Sequence, residues 1–204
     1  MCLNVWEGSI TDANLVSHEG VHTQPDEDDY DGTAGEAKER KLILAPAQTT
    51  LAEDINDSQV EIKISAAVFD DLTNFPYIIV VSNGSSEIMQ ITGGSGTTTL
   101  TVIRDDSPIS ASASDSVFSA FTYEDIVIQA SDESGSDETG WFTYAPDVAG
   151  SPGEYGASLS PSDFTNPKTD SYTFWRKVTV PVSVVQKKGD MRHRVNFVQF
   201  EYVA

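Results

Sequence analysis

At 204 residues the chain is long enough for one large β domain or two small ones with a real core, and no run approaches the roughly 18 apolar residues that a membrane helix needs. Twelve Lys and Arg stand against 32 Asp and Glu, and the resulting formal charge of −20 repels phosphate backbones and argues against nucleic acid as a partner. The single cysteine, Cys2, excludes an internal disulfide framework and a cysteine-rich zinc site, and the first residues, MCLNVWEGSITDAN, lack the basic and apolar regions of a secretory signal.

Residues 1–47 read as an extended acidic arm. Val5, Trp6, Ile10, Leu15 and Val16 are its strong apolar anchors before the acidic run at 26–31, too few to offset chain entropy alone. Such a segment orders against a neighbouring subunit or folds back on its own domain. Thr33-Ala34-Gly35-Glu36 matches a capping box, which predicts a short helix of about two turns through residues 36–40, and Pro46 closes the region. His18-Glu19-Gly20-Val21-His22 satisfies H-E-x-x-H, a zinc-peptidase pattern when both histidines share a helix face. Gly20 and Pro25 weaken such a helix, and no sheet precedes it to form a cleft. Glu27, Asp29 and Asp31, followed by Gly32, alternate like the oxygen ligands of a calcium loop. Lys38 stands where the bidentate glutamate belongs, so these three are minor metal candidates in what reads as an acidic tether.

Residues 48–106 carry the pattern around which the chain is organised. Val60, Ile62 and Ile64 alternate with Glu61 and Lys63, as in a strand with one wet face. A short apolar run at 77–81 follows Pro76, and Asn83-Gly84 supplies the two positive-φ positions of a type I′ hairpin turn. Ile88 to Ile91 gives the return strand, Gly93-Gly94-Ser95-Gly96 reverses the chain, and residues 98–103 form the next strand. With residues 50–55 leading in, about five short strands fit a small barrel or sandwich.

The order of these pieces, TTLA-x-DI, FPY-x-I, SEIMQITG and GTTTLTV-x-R, resembles a small β-module of virion structural proteins in tailed bacteriophages. The resemblance covers residues 48–104, about a quarter of the chain. It implies a module for protein–protein assembly, without catalytic residues.

Beyond Arg104, a Ser/Ala-rich stretch at 107–119 reads as a connector. Residues 120–204 read as a second domain, a β-sandwich. Its expected strands are 121–129, with Ile126 and Ile128 in phase, and a short aromatic strand at 141–144. The interval 145–170 holds Pro146, Pro152, Pro161 and Pro167 and reads as a long contact loop. Tyr172, Phe174, Val178, Val180, Val182 and Val184 share one face of a strand that reverses at 186–190 and returns through 191–203. Pro181 places that strand at an edge or a bulge, and a phase change between Phe197 and Val198 predicts a β-bulge in the return strand. The FWRKVTVP and KKGD pieces resemble hairpins that end phage-tail and adhesin-like sandwich domains.

From residue 168 onward, Lys168, Arg176, Lys177, Lys187, Lys188, Arg192 and Arg194 outnumber Asp170, Asp190 and Glu201. An acidic front and a basic rear suit head-to-tail contact between subunits, although both are also ordinary solvated faces. Trp6, Trp141, Phe142, Tyr144, Tyr155, Trp175, Arg192 and Arg194 are the candidate interface residues, because aromatic and arginine side chains anchor protein contacts. For Trp141 and Trp175, burial in a sandwich core is an equally good reading. No nucleophile elbow, phosphate loop or Cys/His pair is present, and with so many acids a carboxylate pair carries no signal.

The expectation is therefore an all-β protein of two small antiparallel barrel or sandwich domains behind an amino-terminal arm. It is a non-enzymatic, cofactor-free, homo-oligomeric virion component contacting other virion proteins, with no nucleic-acid or membrane partner. A carbohydrate-binding or adhesive module at a cell or virion surface is the alternative.

Overall fold

The computed structural model describes residues 3–11, 14–18, 21–22, 31, 34–69, 76–132, 139–182 and 191–202. These residues are all-β, with antiparallel sheets and no α-helix. In chain order the strands are β1 (Leu3–Glu7), β2 (Leu15–His18), β3 (Val21–His22), β4 (Glu36–Pro46), β5 (Gln48–Thr50), β6 (Glu61–Lys63), β7 (Tyr77–Ser82), β8 (Ser85–Gly93), β9 (Thr99–Ile103), β10 (Ser116–Ser119), β11 (Phe121–Asp132), β12 (Phe142–Val148), β13 (Ser151–Pro152), β14 (Ser158–Leu159), β15 (Tyr172–Val180) and β16 (Met191–Glu201). They form a seven-stranded sheet, β13-β12-β15-β4-β1-β2-β3, a six-stranded sheet, β5-β10-β7-β8-β9-β6, and a three-stranded sheet, β14-β11-β16.

Of the five strands expected between residues 48 and 106, four are present as β6 to β9, and in place of the lead-in at 50–55 stand β5 at Gln48–Thr50 and isolated bridges at Leu51 and Ile55. β7 lies inside its sheet, and Ile78, Ile79 and Val80 are buried on both faces, which is why its sequence is continuously apolar. Asn83 and Gly84 both have positive φ, at 49° and 80°, and pair Ser82 with Ser85 across the tight turn. Gly94 (φ 85°) faces the Thr99 carbonyl so closely that no Cβ fits there.

One charged pair lies inside this unit. Glu87 shares its face of β8 with buried Met89 and Ile91, and its carboxylate is wholly shielded from solvent. Arg104, just past β9, meets it with Nε to Oε1 and Nη2 to Oε2, both 2.6 Å. The other guanidinium donors reach the carbonyls of Asn56, Gln59 and Ile109 at 2.9, 3.0 and 2.6 Å. The Ile109 amide donates to Glu87 Oε2 at 2.9 Å. The pair thus ties β8 to two loops that have no strand partner of their own, and every donor of the arginine is used.

Two passes of the chain join the sheets. β4 runs into β5 through Ala47 alone, and β10 into β11 through Ala120 alone; both alanines are fully buried. The passes are neighbours, with the Ser119 amide donating to the Ala47 carbonyl at 2.8 Å. The stretch expected as a connector therefore ends in a buried strand, β10, between β5 and β7. Side chains from all three sheets, among them Leu44, Ile62, Ile78, Tyr123 and Phe174, share one apolar cluster.

Four expectations are corrected. Residues 36–40 are strand, not helix: β4 pairs with β15 from Glu36↔Val180 to Leu44↔Tyr172, so cross-strand partners override the helix propensity of Glu-Ala-Lys. Glu36 accepts instead from the Asp31 amide, at 2.8 Å. The amino-terminal segment is not simply an outlying arm, because β1 lies between β4 and β2 and buries Leu3, Val5 and Trp6. β15 and β16 do not form a hairpin: β15 pairs with β12 and β4, and β16 pairs with β11.

The fourth concerns the bulge, which sits in β11 rather than β16. Glu124 pairs with Val198 and Val127 with Asn196, so one extra residue on β11 bends the ladder, with Asp125 at φ 51°. It moves the buried phase from Phe121 and Tyr123 to Ile126 and Ile128.

Candidate interaction surface

The strand period sorts the candidate residues by face. On β15 the buried phase holds Phe174, Arg176, Val178 and Val180, and the opposite phase holds Thr173, Trp175, Lys177 and Thr179. Register places Trp175 opposite Lys41 and Lys177 opposite Glu39 on β4. On the other side of β15, Ala145 and Thr143 of β12 face the same two residues. The Tyr144–Gly156 bridge brings the loop after β13 back onto this sheet, and Tyr155 with it.

The result is two adjoining clusters of ring, cation and carboxylate. Trp175 Nε1 donates to Asp147 Oδ1 at 2.7 Å, Lys41 Nζ lies 3.1 Å from the same oxygen, and that ammonium stands 5.7 Å from the indole centroid. Lys177 Nζ lies 2.9 Å from Glu39 Oε1 and 4.7 Å from the centroid of Tyr155. The indole N–H of Trp175, then the Lys41 ammonium and the Gly150 amide, hold the Asp147 carboxyl below its usual range. Lys177 does the same for Glu39. Burial, then the Glu39 carboxylate, pushes the Tyr155 phenol up to about 12.

This electrostatic arrangement has a measurable sign. A carboxyl whose folded pKa is depressed contributes stability above its unfolded pKa and loses it as pH falls through the folded value. The melting temperature is therefore expected to drop between about pH 5 and about pH 3, less steeply in a Glu39→Gln/Asp147→Asn variant. The effect is modest because both groups meet solvent. Thermal unfolding by circular dichroism across that window measures it, and identical slopes would contradict the assignment.

Among the described side chains the structure brings together two of the candidate interface residues, Trp175 and Tyr155, both half-buried on this face. Trp6 and Tyr144 are core residues, 1% and 0% exposed, so neither is available to a partner. Phe142 packs against the core cluster, and Trp141 is half-buried in the 3-10 turn Thr139–Trp141. Arg192 and Arg194 lie on β16, and their side chains are outside the described residues. Of the metal candidates, Asp31 is exposed and accepts from the Ala34 amide, while Glu27 and Asp29 are outside the described residues. His18 and His22 sit on β2 and β3, paired antiparallel, so the helix that H-E-x-x-H requires does not exist there. Among the described residues no group of three or more His, Cys, Asp or Glu could hold a metal ion, and no helix is long and apolar enough to cross a membrane.

The Pro-rich interval 145–170 is largely fastened down, since Phe164 exchanges both amide bonds with Tyr123 and Pro161 and Pro167 are buried. Sequence reasoning missed Glu39, Lys41 and Asp147, whose roles depend on β4 being a strand. Glu87 was detectable: a carboxylate in phase with Met89 and Ile91 needs a buried cation, and Arg104 is the one at hand.

No family model, no curated protein and no solved structure matches this chain.

Proposed function

We propose that the chain is a non-enzymatic structural component of a tailed-phage virion that acts by protein–protein assembly. The observation that supports this reading is the 48–103 unit. Its strands β6 to β9 lie on the residues that carry the resemblance, β5 leads in at Gln48–Thr50, and the buried Glu87–Arg104 pair holds loops. With β1 and β4 built into the chain's own sheet, assembly relies on exposed sheet surface rather than on those strands. Mass spectrometry of purified virions tests the proposal, and absence of the protein from particles would remove it.

The carbohydrate-binding alternative has one observation in its favour, the shared face of Trp175 and Tyr155. Sugars stack on open ring faces, however, and each of these rings already has a lysine ammonium against it. A glycan array with binding abolished by Trp175→Ala would reverse this preference.

A further inference from the structure

Among the described residues the three sheets have six outer strands, and five of them are short. The outer strands β3, β13 and β14 have two residues each, and β5 and β6, of three each, are tied to one another by the Leu51–Ile64 bridge, with the Ser65 amide donating to the Thr50 carbonyl and the Ala52 amide to the Lys63 carbonyl. Short edges offer too few free amides and carbonyls to template another strand. β16 is the exception: eleven residues long, hydrogen-bonded on one side to β11, and without a strand on its other side among the described residues. Its solvent face also carries Val198 and Phe200, 45% and 47% exposed.

Resting on the assembly reading above, we infer that β16 is a docking edge for β16 of a second copy, joined antiparallel about a two-fold axis at Asn196. This closes two three-stranded sheets into one of six strands. The occupant follows from length and charge. Two identical strands match end to end, and antiparallel self-pairing satisfies the closed two-fold rule for homo-oligomers. On a chain of formal charge −20, the stretch 191–201 holds Arg192 and Arg194 against Glu201 alone, so two copies meet here with less repulsion than their acidic remainder allows. The register sets positions 192 and 194 of one copy opposite 200 and 198 of the other. Arginine positions thereby oppose Phe200 and Val198 rather than each other.

Sedimentation equilibrium of the full chain is expected to show a concentration-dependent dimer. Val198→Lys/Phe200→Lys, which charges an exposed face without touching the core, is expected to raise its dissociation constant by about 100-fold or more. In a Cys2→Ser background, Asn196→Cys is expected to cross-link into disulfide dimers under mild oxidation, whereas the exposed control Ser160→Cys is not. A chain that stays monomeric with no cross-link at 196, or a dimer indifferent to the two lysines, overturns the inference. Binding of β16 to an acidic partner protein instead would also overturn it. None of these outcomes bears on whether the protein is found in virions, which is decided separately.

Discussion

Arg104→Ala is expected to destabilise the protein by about 3–5 kcal/mol, as removal of one member of a buried ion pair does. The alanine leaves the Glu87 carboxylate without its counter-charge in a site closed to solvent, and it orphans the carbonyls of Asn56, Gln59 and Ile109. Arg104→Lys is expected to recover little, because a point charge with three donors cannot reproduce a planar fork that uses five. An apolar pair, Glu87→Met/Arg104→Met, relieves the charge but leaves the loop carbonyls unpaired, so it too remains below wild type. Urea unfolding followed by tryptophan fluorescence measures all three. A double variant as stable as wild type would show that the loops do not depend on this arginine.

Trp6→Ala is expected to cost about 3–5 kcal/mol, the usual range for truncating a large core aromatic. The same substitution separates the two readings of the amino-terminal segment. An arm that orders only on a neighbour would leave the isolated chain's stability unchanged, since its tryptophan would be solvated before assembly. Trp6 is instead 1% exposed and its strand pairs Trp6 with Ile43 of β4. The denaturation midpoint of dilute protein decides between them, and a shift of under about 0.5 kcal/mol would restore the arm reading.

What the sequence reveals here is local, and what it conceals is long-range. The strands β6 to β9 could be read because their alternation, apolar run and Asn-Gly turn are set by near neighbours. The partners of β15 could not, since adjacent strands with a basic turn between them suggest a hairpin, while β15 and β16 each pair with a strand more than 40 residues from itself in one register or another. β4 was hidden for the same reason: Glu36 to Lys41 has no apolar alternation, and its strand state is supplied by pairing with β15. Of the contact surface, Trp175 and Tyr155 were visible as aromatics, but the lysines and carboxylates that enclose them come into place only through that pairing. Trp6 and Tyr144 were equally visible, and composition gives no way to tell a ring that faces solvent from one that fills a core.

The single-alanine junctions at 47 and 120 have a mechanical consequence. Unbroken backbone runs from the seven-stranded sheet into the six-stranded one, and from there into the three-stranded one, with the two strands bonded side by side where they cross. Tension on any sheet is thus carried into the next as shear along paired covalent cables, with no slack hinge between to absorb it. Cutting the gene near residue 119 would sever one such cable inside a hydrogen-bonded ladder, so neither half is a sensible piece to express by itself.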